Sequence, residues 1–292
     1  MLFEVRVGMA IELKQHLLEF SEYLDKRIAE KKDVRSGYKD LDDIIGGFYG
    51  GKVYVVGART GKGKTSFLTN IALNNSTSNK ILVFSTEIGV NEFIERLIAL
   101  SSDISVFSLR TQISELYDDI IFNRIDQLKQ YNIFVNDSPN PGIGVICNEV
   151  KEVKPSLLIV DYLGQIFFKP TENVPRAISD LMVGLKKISR EFNISVLVAS
   201  QLNRDIEYRG GGPRLSDFKG SGGIEESADL AMFLDAPDDE YLEVTVAKSR
   251  YGPTGTVRVR FNRQTLKVSD DGRGENEREP DLRSLLSKHL NE

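Results

Sequence analysis

The segment Lys52–Ser66, KVYVVGARTGKGKTS, runs from a β-branched apolar stretch through a glycine-bearing turn into Gly63-Lys64-Thr65. Residues of these types at this spacing suit the cradling of phosphate oxygens. A buried strand (Val53, Tyr54, Val55, Val56) delivers the chain to a loop whose backbone N–H groups can turn inward only where side chains stay clear, and Gly61 and Gly63 clear that space. Lys64 then reaches the β- and γ-phosphates as a point charge. The Thr65 hydroxyl takes Mg²⁺, and the helix that opens there turns its positive end to the anion. The nucleotide-binding segment is therefore Ala58, Arg59, Thr60, Gly61, Lys62, Gly63, Lys64, Thr65 and Ser66. The usual spacing G-x-x-x-x-G-K-[ST] wants Gly at position 58, where this chain has Ala58. A pattern relaxed to accept Ala arises by chance in about one chain of this length in fifty.

A phosphate loop needs a carboxylate on the metal side. LLIVD (157–161) is an apolar run ending in Asp161, the form expected of that group; such strands are common, so the signal gains its force from the loop. The elements that must position both are readable in order. Leu13, Leu17, Phe20, Leu24 and Ile28 make a helical stripe, either folded on its own domain or docked on a neighbouring subunit, and EKKDVR (30–35) reads as a charged hinge. A short helical pattern at 41–45 leads into the cradle strand. Further strands are expected at 81–87, 132–137, 157–161 and 195–204, with helices at about 64–74, 91–101, 112–130, 142–153 and 177–192. Closely spaced strands follow at 228–234, 241–250, 256–262 and 265–269, with GPTG (252–255) as a hairpin turn. The charged stretch from Asp270 reads as a mobile tail. This is the pattern of an α/β fold, a mostly parallel sheet flanked by helices with antiparallel strands added at one edge.

Composition narrows the function classes. With 292 residues and 40% hydrophobic content the chain can bury one large domain. The single Cys147 rules out an internal disulfide, and with two histidines makes a structural zinc site a poor fit, as in a reducing cytoplasm. No apolar stretch approaches a membrane span. The net charge of −5 argues against a generally basic coat for nucleic acid but leaves room for local loops. Such a loop is DIEYRGGGPRLSDFKGSGG (205–223). Arg209, Arg214 and Lys219, with Arg204 just before it and glycines that admit a close backbone, suit a phosphodiester strand; a solvated surface loop fits equally well.

These motifs together resemble the C-terminal ATPase domain of the DnaB-type replicative helicases, hexameric ring enzymes with a RecA-like core. The resemblance runs from about Arg27 to Ser269 and rests on SGYKDLDDIIGGFYGG, GARTGKGKTSF, VFSTE, LLIVDYL, ASQLNR, SDFKGSGGIEESADLAMFL and AKSRYGPTG. In that family the first phosphate-loop position is often Ala, as in Ala58. The resemblance implies ATP and Mg²⁺ as cofactors, Lys64 and Thr65 on phosphate and metal, and Asp161 on the metal side. It further implies Glu87 as the base for the attacking water, Gln201 as the γ-phosphate sensor, and Lys248 and Arg250 as a finger reaching the neighbouring subunit's nucleotide.

The implied arrangement is a homohexamer around single-stranded DNA in replication, with residues 1–35 as a docking helix and linker, 36–269 as the ATPase domain and 270–292 as a tail. The loops facing the channel would be 167–176, with Lys169, and 205–223, with Arg204 beside it and Arg209, Arg214, Lys219, Gly220, Ser221 and Gly222. A helicase loader or a primase is the further partner implied. The chain departs from the family in its short N-terminal stretch and in Phe218-Lys219-Gly220-Ser221, where the family commonly has Arg-Glu-Ser. Two other classes share the cradle: a RecA-like recombinase or switch-type ATPase without unwinding, and a non-catalytic module that holds nucleotide only to stabilise an oligomer.

Overall fold

Strands that are buried along nearly their whole length must be covered on both faces, and five of them make the middle of one sheet. The computed structural model describes residues 13, 17, 19–22, 34–111, 120–165, 174–203, 206, 212–218 and 221–271. Among these, β1 (Val53–Ala58), β2 (Ile81–Ser85), β3 (Ile133–Asn136), β4 (Leu157–Asp161), β5 (Ser195–Gln201) and β6 (Leu230–Asp235) run parallel. Strands β7 (Tyr241–Ser249), β8 (Gly255–Asn262) and β9 (Lys267–Asp270) add antiparallel beyond β6, giving the order β3-β2-β4-β5-β1-β6-β7-β8-β9. The two-residue period of a strand divides β1 between two cores. Tyr54, Val56 and Ala58 pack with Phe67, Leu68 and Ile71 of the helix Lys64–Asn75. Val53 and Val55 pack with Met182, Leu185 and Ile188 of the helix Val174–Glu191. No helix of the described residues is long and apolar enough to cross a membrane.

The chain divides into two units, Met1–Asp33 and Val34–Glu292. In the first, Leu13, Leu17 and Phe20 of the helical stripe are exposed, at 69%, 58% and 54%; Leu24 and Ile28 lie outside the described residues.

The stretch 205–223 is not a loop throughout. Leu215–Asp217 is a turn of 3-10 helix, and Ser221–Ser227 is an α-helix. One glycine that suggested an open loop serves close packing instead: a Cβ on Gly223 would stand 2.4 Å from Ser179 Cα on the helix Val174–Glu191. Ile224 and Ala228 are fully buried behind it. This helix also explains why β6, expected as part of the closing antiparallel meander, runs parallel to β1: parallel neighbours need a crossover, and the helix supplies it. Helical structure likewise starts earlier than expected at both Val106–Thr111 and Val174–Glu191.

Phe218, fully buried, stacks on Phe233 with ring centroids 5.0 Å apart and lies against Gly57 of β1. A Cβ at Gly57 would meet Phe218 Cε1 at 2.5 Å and Leu202 Cδ2 at 2.9 Å. Gly57→Ala is therefore expected to lower unfolding free energy by about 1–3 kcal/mol through overpacking. Adding Phe218→Leu, which makes room, should recover much of that loss in urea melts.

Candidate active site

Register sets the site. Ser85 pairs with Asp161 and Ala58 with Gln201, so the phosphate loop after β1, Glu87 after β2, Asp161 ending β4 and Gln201 ending β5 all reach the carboxyl edge of the sheet. Ligands of open α/β sheets bind at this edge. A cleft of about 390 Å³ opens there, lined by Arg59, Thr60, Gly61, Gly63, Lys64, Thr65, Ser66, Glu87 and Gln201 among others.

The loop is held by its own polar side chains. Gly61 and Gly63 take positive φ, 77° and 82°, and Gly63 caps the helix Lys64–Asn75. Gln201 Nε2 donates to Thr60 Oγ1 at 2.8 Å, and Arg59 donates to the Leu202 carbonyl at 2.9 Å. Two members of the expected binding segment do not line the cleft. Ala58 is fully buried in β1. Lys62 turns to the end of β6, pairing with Asp235 at 2.8 Å and donating to the Ala236 carbonyl at 3.1 Å. Lys64 Nζ stands 5.5 Å from the centroid of the Tyr162 ring.

Asp161 is the buried charge of the site. Its carboxyl is pushed above the usual range, first by burial and then by Glu87; a hydrogen bond with Thr65 and the charges of Lys64 and Arg96 pull the other way. Its Oδ1 is buried without a hydrogen-bond partner. An orphaned carboxylate oxygen beside a threonine hydroxyl is a pair of hard oxygen donors, and it fits a small divalent cation completed by phosphate and water. Behind the site, Thr86 fixes the strand end: its N–H and hydroxyl donate to the Asp161 carbonyl at 2.9 and 3.0 Å, and it accepts the Tyr162 N–H at 3.0 Å.

Arg96 was missed by sequence reasoning. It lies on the helix Val90–Ser102, bonds Glu92 at 2.8 Å and lines the cleft. Its only trace in the sequence is an i,i+4 charge pair, which marks any half-exposed helix. Phe261, Arg263 and Leu266 were missed too; they reach the cleft from the β8–β9 hairpin, far along the chain.

Lys248 and Arg250 stand elsewhere. Lys248 pairs with Ala231 near the start of β6, and the Arg250 N–H bonds the Asp229 carbonyl at 2.9 Å, which places both at the amino edge. There they meet carbonyls at the end of the helix Ser221–Ser227. Lys248 donates to Glu225 and Ala228, and Arg250 donates to Glu226 at 2.5 Å. Cations at a helix C-terminus satisfy its orphaned acceptors. Burial, then the Arg250 charge, holds Lys248 below the usual lysine range. Of the residues expected on DNA, Arg214 is exposed, with its backbone N–H bound to Asp217 at 2.7 Å. Ser221 and Gly222 open the short helix, while Lys169, Arg204, Arg209, Lys219 and Gly220 lie outside the described residues.

Known proteins are similar to this chain in sequence and in fold. The chain is 29% identical over 264 residues to the replicative DNA helicase DnaB of Geobacillus stearothermophilus, covering 84% of this chain and 58% of that one. It is 32% identical over 271 residues to DnaB of Treponema pallidum, covering 88% and 61%. The chain thus spans about three fifths of the length of these relatives. A solved DnaB-like replicative helicase, described with its interactions with primase, superposes with a TM-score of 0.76 at 28% identity, over 81% of this chain and 63% of that one. A solved ATPase domain superposes with a TM-score of 0.82 at 26% identity, over 90% and 99%. Residues 33–270 match the DnaB-like helicase C-terminal domain, and to that family the chain belongs.

Proposed function

We propose that this chain is the motor domain of an ATP-dependent replicative DNA helicase. It binds ATP with Mg²⁺ at the carboxyl edge and receives Lys248 and Arg250 from a neighbouring copy, in a homohexameric ring threaded by single-stranded DNA. One observation carries this reading: both cations sit at the edge opposite their own phosphate loop. At about 3.3 Å per residue, β1 alone separates the two edges by roughly 17 Å. Neither cation can serve the nucleotide of its own chain. The relatives named above are replicative helicases, which supports unwinding over a recombinase or a nucleotide switch.

In this reading Lys64 and the loop N–H groups hold the β- and γ-phosphates, and Arg96 adds a second cation from the same chain. Thr65 and Asp161 hold Mg²⁺, which when bound offsets charge on the phosphoryl oxygens. Glu87 orients water in line and takes its proton. Arg250, inserted from the adjacent copy, meets the charge that builds on the transferred group, a contribution of about 10³ to 10⁵ in rate, or roughly 4–7 kcal/mol. Gln201, bonded to Thr60 and adjoining Leu202, relays the state of the phosphate site toward residues 212–218, where the Asn203 N–H bonds the Asp217 carbonyl at 2.8 Å.

Six copies would bring Lys169, Arg204, Arg209, Arg214 and Lys219 around one path, so an acidic chain can still bind a strand. Residues 1–35 would dock on the next copy, 36–269 would form the motor, and 270–292 a tail. A loader or primase would act on the ring in the cytoplasm.

Lys64→Ala is expected to abolish ATP hydrolysis. Arg250→Ala should remove hydrolysis while leaving nucleotide binding, and mixing it with Glu87→Ala protein should restore part of the turnover at mixed interfaces; no recovery at any ratio contradicts a finger in trans. Asp161→Asn tests the metal site through stability. A carboxyl raised by burial gives stability that is present below the unfolded value, about 3.9, and is lost as pH rises through the folded one. In metal-free buffer Asp161→Asn should therefore melt above the parent at pH 7. The gap should close near pH 4, and Mg²⁺ should add to the stabilisation by nucleotide only in the parent.

A further inference from the structure

Asp229, just before β6, has a side chain only 2% exposed. Burying a carboxylate costs several kcal/mol unless it is paired. Its Oδ2 meets that need, accepting the Val53 N–H at 2.8 Å and Lys186 Nζ at 2.5 Å. Lys186 is held in turn by the Gly51 carbonyl at 2.9 Å. The Asp229 backbone N–H donates to the Val53 carbonyl at 2.8 Å, so the residue is fastened to the foot of the strand that carries the phosphate loop.

The remaining groups of Asp229 face the finger. Oδ1 lies 3.5 Å from the Tyr251 hydroxyl and 4.0 Å from Arg250 Nη1, and the backbone carbonyl accepts the Arg250 N–H at 2.9 Å. Lys52 ties the same segment from the other side, donating to the Tyr251 hydroxyl at 2.6 Å with its ammonium 4.0 Å from the ring centroid. Val53 and Lys186 use only Oδ2. Arg250 and Tyr251 are exposed, so the fold itself gains little from anchoring them to a buried carboxylate.

We infer that Asp229 is a positioning residue for the cation supplied in trans: it fixes where Arg250 leaves the sheet and so how far the guanidinium extends toward the neighbouring copy. The division of labour on the carboxylate suits that role. Lys186, in contact, neutralises most of its charge, and Asp229 at 4.0 Å steers the Nη1 side of Arg250 while the Glu226 carbonyl holds Nη2 at 2.5 Å. The inference rests on the trans arrangement proposed above.

The test uses Asp229→Asn, which keeps an oxygen for the Val53 N–H, beside Arg250→Ala and Lys64→Ala. Each full-length protein is assayed for ATP turnover with single-stranded DNA, alone and in equal mixtures, and for binding of a fluorescent ADP analogue. The Asp229→Asn protein is expected to bind the analogue like the parent while turnover falls about 10- to 100-fold, the scale on which a displaced catalytic group loses rate. Mixing it with Lys64→Ala protein, which presents an intact finger to an intact site, should restore turnover; mixing it with Arg250→Ala protein should not. Parental turnover, loss of analogue binding, or equal recovery in both mixtures overturns the positioning role while Arg250→Ala with Lys64→Ala still recovers. Failure of that last control pair overturns the trans arrangement itself, and the inference with it.

Discussion

Ser85 opposite Asp161 and Ala58 opposite Gln201 are pairings that a parallel sheet can make in only one register, because a slip of one residue would turn each side chain to the other face. That constraint delivers the phosphate loop, both carboxylates and the glutamine to one edge. It also sends the start of β6 and the end of β7 to the other edge, carrying Lys248 and Arg250 away from the cleft. In the proposed reading the other half of the chemistry comes from the next copy, and assembly is then a condition of turnover.

Within the cleft, electrostatics divides the carboxylates by environment. Asp161 is buried, which disfavours its charged form and leaves one oxygen without a hydrogen-bond partner, whereas Glu87 is exposed at the mouth, where water can reach it. The loop itself is tied outward at three points, Thr60 to Gln201, Arg59 to the Leu202 carbonyl and Lys62 to Asp235. The loop is thereby tied to the end of β5, and Leu202 just beyond β5 bridges to Phe218, which lies against Gly57.

Much of this was legible in the sequence because the signals were local. Val53–Val56, Leu157–Val160 and Ser195–Ser200 are runs whose burial needs no knowledge of partners, and Gly61-Lys62-Gly63-Lys64-Thr65 states its own geometry. The family resemblance carried Glu87, Gln201 and Arg250 to their positions in the chain, but their distribution between two edges became visible only with the register. What escaped depends on contacts distant in sequence. Arg96 is one of many helical arginines until its helix is docked beside Asp161. Phe261 and Arg263 reach the cleft only because β8 and β9 fold back beside the loop. The helix Ser221–Ser227 looked like a loop because glycine has low helix propensity, and Gly223 is required there by the approach of Ser179.

If the site is divided between copies, as proposed, turnover is a property of the assembly. The most direct measurement is ATP turnover per chain across a dilution series with single-stranded DNA present, recorded beside the mass of the particle by light scattering. If the finger comes from the next copy, turnover per chain should fall toward zero in step with dissociation of the ring. Constant turnover per chain in a sample that has become monomeric would contradict it.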